Sequence, residues 1–180
     1  MIFNESHLQG NYLIDLELRS DERGFFARYF CENEFQKHGL NTRWVQINNS
    51  MSKQVGTLRG LHFQRPPHSE VKLVRCIKGS IWDIVVDLRK GSATFGKWFG
   101  STLSEKNRTM MYVPEGFAHG FVTLEPDSEI LYLVSNSYSP ESEGVLLWND
   151  PDVAINWPVT PQLLSDKDSR GDLLKNMSVK

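Results

Sequence analysis

Short extended runs, each cut off by a turn signal, fill this sequence from end to end and leave little room for helix. β-Branched, aromatic and aliphatic residues cluster at 11–18, 25–30, 43–50, 56–64, 71–77, 81–88, 95–103, 109–113, 117–124, 130–138 and 144–148. Each cluster is short enough to be one strand. Between them stand Ser20-Asp21-Glu22-Arg23-Gly24, Pro114-Glu115-Gly116 and Glu125-Pro126-Asp127-Ser128, which read as turns. The adjacent prolines of 65–69 cannot sit in a ladder, so that stretch is a loop. Lys78-Gly79-Ser80, between two β-branched runs, reads as a hairpin turn. Only 32–38, closing on Gly39, and the turn opened by Ser165-Asp166-Lys167-Asp168 read as helical. This pattern predicts an all-β protein, and its spacing suits a double-sheet jelly roll with a cavity between the sheets. One domain over 1–180 accommodates the chain.

The charge balance narrows the function classes. Twenty Lys and Arg against 22 Asp and Glu give a net charge of -2 with no basic block, which argues against a nucleic-acid surface. Any anion must be held by a few placed cations. No apolar run approaches bilayer-spanning length, and Met1-Ile2-Phe3-Asn4-Glu5-Ser6 lacks a secretory pattern. No membrane partner is expected, and a reducing cytoplasmic compartment is. Of the two cysteines, Cys76 sits in an apolar run and should pack as a small hydrophobe.

The stretch Gly56-Thr57-Leu58-Arg59-Gly60-Leu61-His62-Phe63-Gln64 concentrates the chemistry. It holds a fixed cation, Arg59, and an imidazole able to move a proton near neutral pH, His62. Strict alternation puts Leu58, Gly60, His62 and Gln64 on one face and Arg59 on the other. A bulge at Gly60 would bring both side chains into one cavity. Without it, His62 reads as a satisfied core histidine and Arg59 as a surface charge. Tyr132 and Tyr138 share a face of the 130–138 run, either lining the cavity or packing as core tyrosines with satisfied hydroxyls. Lys72 opens an apolar strand and either snorkels outward or faces the cavity as an oxyanion stabiliser. Asp83, amid Ile81, Ile84 and Val85, needs a hydrogen-bonding partner, which a buried histidine could supply, and His119, between two glycines, reads on its own as structural. Metal sites in cupins place two histidines one residue apart, whereas His62 is followed by Gln64 and His119 by Phe121, and His68 lies beyond Pro66-Pro67. No metal is expected.

Taken in order, these motifs resemble the dTDP-4-dehydrorhamnose 3,5-epimerases over nearly the whole chain. The resemblance runs through Asp21-Glu22-Arg23-Gly24-Phe25-Phe26, the 56–62 stretch, Pro66-Pro67-His68, Lys72-Leu73-Val74-Arg75 and Val86-Asp87-Leu88-Arg89. It continues through Pro114-Glu115-Gly116-Phe117-Ala118-His119-Gly120-Phe121, Trp148-Asn149-Asp150-Pro151 and Leu164-Ser165-Asp166-Lys167-Asp168. It implies a double-stranded β-helix jelly roll, cupin-like, with short peripheral helices. It also implies a cofactor-independent isomerase that inverts carbons beside the C4 ketone of a nucleotide-linked 4-keto-6-deoxyhexose. His62 would then be the base, Asp168 its carboxylate partner, Tyr132 the acid on the opposite face and Lys72 the cation near the enolate oxygen. Arg23 and Arg59 would contact the anionic nucleotide, and Phe26, Gln46, Asn48, His119 and Tyr138 would line the substrate pocket. The resemblance further implies a homodimer sharing its N-terminal strands. Three positions differ from the usual pattern: Arg28 where a glutamate is common, Leu133 for a lysine, and Ser137 for an aromatic residue.

Overall fold

The structure is a computed structural model and describes residues 1–177. In chain order the strands are β1 (Ile2–Glu5), β2 (Tyr12–Asp15), β3 (Arg19–Asp21), β4 (Gly24–Phe26), β5 (Gln46–Ser52), β6 (Leu58–Gln64), β7 (Lys72–Lys78) and β8 (Ser80–Asp87). They continue with β9 (Trp98–Ser104), β10 (Met110–Val113), β11 (Phe117–Thr123), β12 (Ser128–Val134) and β13 (Glu143–Val145). Two short α-helices, α1 (Glu32–Lys37) and α2 (Asp166–Ser169), lie outside the sheets. Six strands form one antiparallel sheet in the order β1-β2-β10-β7-β12-β5, and five form the other, β13-β6-β11-β8-β9. The expected jelly roll is the fold. No helix among the described residues is long and apolar enough to cross a membrane.

Three apolar layers hold the sandwich together. Between the sheets pack Val74, Ile81, Val85, Met111, Phe117, Phe121 and Ile130, with Cys76 among them as expected. The outer face of the six-stranded sheet, through Leu73, Met110 and Tyr112, is covered by Phe35 of α1 together with Tyr29, Phe30 and Trp44. The outer face of the five-stranded sheet is covered by Val153, Trp157 and Met177. The central strands are therefore buried on both faces, and all seven residues of β11 are buried. This double cover is why their sequences read as apolar runs rather than clean alternation.

Several boundaries differ from the sequence reading. Lys78-Gly79-Ser80 is not a hairpin turn, because β7 and β8 belong to opposite sheets. It is a corner, held by Gly79 N–H donating to Glu105 Oε2 (3.2 Å) and Ser80 N–H to Ser128 Oγ (3.2 Å). The 25–30 run pairs only through β4, which joins β3 in a separate two-stranded ribbon. Phe30 instead packs on Phe35 and Trp44, where burial is gained without a ladder. The strand predicted over 130–138 ends at Val134, beyond which Ser135 Oγ accepts from Val71 N–H, and Ser137 and Ser139 bond to the Gln64 side chain of β6. The 95–103 run starts late because 89–97 makes tight turns, with Ser92 N–H donating to Arg89 O and Lys97 N–H to Thr94 O.

Asp87 organises that turn. It is fully buried and accepts from Arg89 N–H (2.9 Å), Arg89 Nε (2.9 Å) and Nη2 (2.8 Å), Ser92 Oγ (2.6 Å) and Thr94 Oγ1 (2.6 Å). Burial pushes its carboxyl up, but Arg89 and the two hydroxyls outweigh burial and hold it at about 2. A carboxyl lowered on folding stabilises the fold above its unfolded pKa, here by about 2 kcal/mol, and that contribution fades as pH falls from about 4 to about 2. We predict that Asp87→Asn loses about 2 kcal/mol at neutral pH and flattens the acid limb of the urea-unfolding profile over that window.

Candidate active site

A cavity of about 450 Å³ opens between the sheets, lined by Arg59, His62, Lys72, His119, Phe121, Tyr132 and Asp168. A second lobe of about 470 Å³ shares His62, Lys72, Tyr132 and Lys167 with it and adds Gln46, Asn48, Glu70, Tyr138 and Glu143.

One wall depends on an irregularity in β6. His62 lies opposite His119 of β11, but Arg59 lies opposite Phe121, so β6 carries one extra residue between the two pairs. Of the two readings the sequence left open, this is the bulge at Gly60, where φ is +135°. A Cβ on Gly60 would stand 2.6 Å from Gly120 Cα, and one on Gly120 would stand 2.7 Å from Arg59 O. Only paired glycines permit this approach. The extra residue puts Arg59 and His62 on the same cavity. Arg59 is steadied by Nε donating to Ser52 Oγ (3.1 Å) and Nη2 to Met51 O (3.2 Å).

Asp168 reaches His62 from the far end of the chain. Leu58 N–H donates to Leu163 O (2.9 Å) and Gln162 N–H to Gly56 O (2.8 Å), which pins the segment before α2 beside the start of β6. Ser165 caps α2 by accepting from Asp168 N–H (3.1 Å), as its sequence signature predicts. The turn drives Asp168, 3% exposed, against the imidazole, with Oδ1 2.6 Å from His62 Nε2. Burial pushes this carboxyl up, but His62, the Gly60 amide and Ser165 outweigh burial and hold it below its ordinary value. His62 Nδ1 has no hydrogen-bond partner among the described residues.

The opposite wall comes from the six-stranded sheet. Tyr132 on β12 faces the cavity, its phenol pushed up by burial and by Glu70 against a smaller opposing effect of Arg59. Lys72 on β7 is buried in the cavity wall rather than snorkelling outward, 3.1 Å from Glu70 Oε1. On the first wall His119 meets Asp83 at 2.9 Å, a buried histidine of the kind that Asp83 could use as partner, and Asp83 Oδ2 is buried with no hydrogen-bond partner among the described residues.

The remaining candidates separate. Gln46 and Asn48 lie on the edge strand β5, with Asn48 opposite Tyr132, and line the second lobe. Tyr138 lies past the end of β12, so strand alternation does not place it, yet it also lines that lobe. Arg23 and Phe26 belong to the β3–β4 ribbon and do not line the cavity of their own chain. Arg28 pairs with Glu34 at 2.9 Å, beside the same ribbon. Sequence reasoning missed Glu70, Glu143 and Lys167. Lys167 joins Glu143 at 2.8 Å where the two lobes meet. Its adjacency to Asp168 was the available signal, as was the same-face spacing of Glu70 and Lys72. No group of three or more His, Cys, Asp or Glu that could hold a metal ion occurs among the described residues.

The sequence profile of the dTDP-4-dehydrorhamnose 3,5-epimerase family matches residues 5–176. The chain is 45% identical to the dTDP-4-dehydrorhamnose 3,5-epimerase of Salmonella typhimurium over 177 residues, 97% of this chain and 96% of that protein. The crystal structure of the Elizabethkingia anophelis enzyme of that name superposes with a TM-score of 0.94 at 42% identity, covering 97% of each chain. The Bacillus anthracis enzyme, solved with TDP and PPi bound, superposes with a TM-score of 0.92 at 42% identity, covering 96% of this chain and 98% of that one.

The bulge yields a direct structural prediction. Gly60→Ala should destabilise the fold by about 3 kcal/mol or more, from the positive φ and the backbone overlap together. Urea unfolding measures the loss, and an undiminished midpoint would show that β6 and β11 do not touch through these glycines.

Proposed function

The chain belongs to the dTDP-4-dehydrorhamnose 3,5-epimerase family and is an epimerase of a dTDP-linked 4-keto-6-deoxyhexose; on that premise we propose how its cavity does the chemistry. The observation that carries the reading is that His62 and Tyr132 enter one cavity from opposing sheets. Inverting a carbon beside a ketone requires a base on one face and an acid on the other.

His62 removes the C3 proton through Nδ1, while Asp168 holds Nε2 and stabilises the imidazolium that forms. The electron pair moves into the C4 carbonyl, giving an enolate that Lys72 stabilises. Tyr132, kept protonated by its burial, returns a proton to the opposite face. His62 then gives up its proton, Tyr132 regains one, and the same steps at C5 convert dTDP-4-dehydro-6-deoxy-D-glucose to dTDP-4-dehydro-L-rhamnose. The substrate's own carbonyl is the electron sink, so the chemistry calls for no cofactor. Each acid or base is worth roughly 10²–10⁴ in rate and the oxyanion donor roughly 10²–10³.

Arg59 and His119, on the base side, hold the diphosphate, while Gln46, Asn48 and Tyr138 contact the substrate in the second lobe. Arg23 and Phe26 serve the site of a second copy in a homodimer. Their exposure supports this: the Arg23 side chain is 90% exposed and Phe26 64%, on a ribbon outside both main sheets. Light scattering should give twice the chain mass. The free thiols Cys31 and Cys76 support a reducing, cytoplasmic location.

The test is proton exchange in heavy water with dTDP-4-dehydro-6-deoxy-D-glucose, read by mass and by NMR. Deuterium at both C3 and C5 is expected, with His62→Ala slower by roughly 10²–10⁴. Deuterium at one carbon would make the enzyme a single-centre epimerase. No uptake, with wild type and His62→Ala indistinguishable, would overturn the proposal.

A further inference from the structure

The outer end of the cavity is built on a side chain that the proton transfers do not use. Gln64 lies two residues beyond His62 on β6 and is 6% exposed. Its Nε2 donates to His68 O (2.9 Å) and Ser137 O (3.2 Å), and its Oε1 accepts from Ser139 N–H (2.6 Å). One amide therefore grips the 65–69 loop and both residues that flank Tyr138.

Tyr138 has no strand to hold it, because β12 ends at Val134. Its N–H donates to Gln46 Oε1 (3.1 Å) and its hydroxyl to Glu143 Oε2 (3.2 Å). Tyr138 is nonetheless 59% exposed beside the second lobe. A fixed, exposed aromatic ring with polar groups around it is the arrangement that receives a flat, hydrogen-bonding partner.

We propose that Gln64 is a positioning residue for nucleotide recognition: it presets Tyr138 beside Gln46 as a platform for the pyrimidine base of the substrate. The proposal rests on the epimerase reading of the cavity. Fixing the loop in advance removes the ordering cost from binding. The effect falls on affinity and leaves the proton transfers at His62 and Tyr132 alone.

The test compares Gln64→Met, which removes all three hydrogen bonds at similar length, with Tyr138→Ala and the double variant. Gln64→Glu keeps the acceptor for Ser139 N–H but sets oxygen against two carbonyls, and it carries the same test should Gln64→Met not fold. Calorimetry gives the dTDP Kd and steady-state kinetics give KM and kcat. Both Gln64 variants should raise Kd and KM about tenfold with kcat within about twofold. The double variant should bind no worse than Tyr138→Ala, because both changes remove one platform. Unchanged dTDP affinity, losses that multiply in the double variant, or a fall in kcat at constant KM would overturn the proposal. Wild-type protein that exchanges substrate deuterium while its Gln64 variants bind dTDP normally would overturn this proposal alone. Wild-type protein that binds no dTDP would overturn the epimerase reading and this proposal with it.

Discussion

The close approach of Gly60 to Gly120 is the contact on which the site depends. Two strands at the centre of a sheet normally keep their side chains in strict alternation. Here the extra residue in β6 breaks that rule at one point, and Gly120 leaves room for the break. The consequence is a guanidinium and an imidazole on the same cavity, three residues apart. The same strand supplies Gln64 further on, so β6 carries Arg59, His62 and the side chain that bonds to Ser137 and Ser139.

The two-sheet architecture turns this strand into half of a reaction site. Arg59, His62 and His119 come from the five-stranded sheet, and Lys72 and Tyr132 from the six-stranded one. Their environments push the titrating groups apart. Asp168 is held ionised against His62, whereas burial and Glu70 keep the Tyr132 phenol protonated. In the proposed mechanism this leaves Asp168 as the charged partner of His62 and Tyr132 as a proton donor. The sandwich also supplies the rigidity: strands covered on both faces leave the walls little freedom to relax.

Much of this was legible in the chain, for identifiable reasons. Turn residues at regular spacing pointed to the jelly roll, and Gly60 between Arg59 and His62 made a bulge one of two open readings. The 78–80 corner was misread because a glycine between two buried strands looks alike whether the chain returns to its own sheet or crosses to the other. The short reach of β12 was hidden because Asn136 and Tyr138 preserve the alternation after the backbone has left the ladder. The contact of Asp168 with His62 spans 106 positions and has no local signature beyond the Ser165 cap; the family resemblance, not periodicity, pointed to it. Lys167 and Glu143 escaped notice because a charged pair near a helical turn ordinarily reads as solvated surface. Arg23 and Phe26 lie beyond the reach of a single chain's cavity, which no strand pattern can reveal.

The central claim is that His62 and Tyr132 act on opposite faces of one substrate ring. The most direct measurement is the fate of deuterium in Tyr132→Phe, incubated with dTDP-4-dehydro-6-deoxy-D-glucose in heavy water. With the base intact and the acid absent, His62 should return a solvent deuteron to the face it came from. Exchange should therefore proceed with the original configuration retained, and inversion should fall by roughly 10²–10⁴. Inversion at the wild-type rate, or exchange lost together with inversion, would contradict the account.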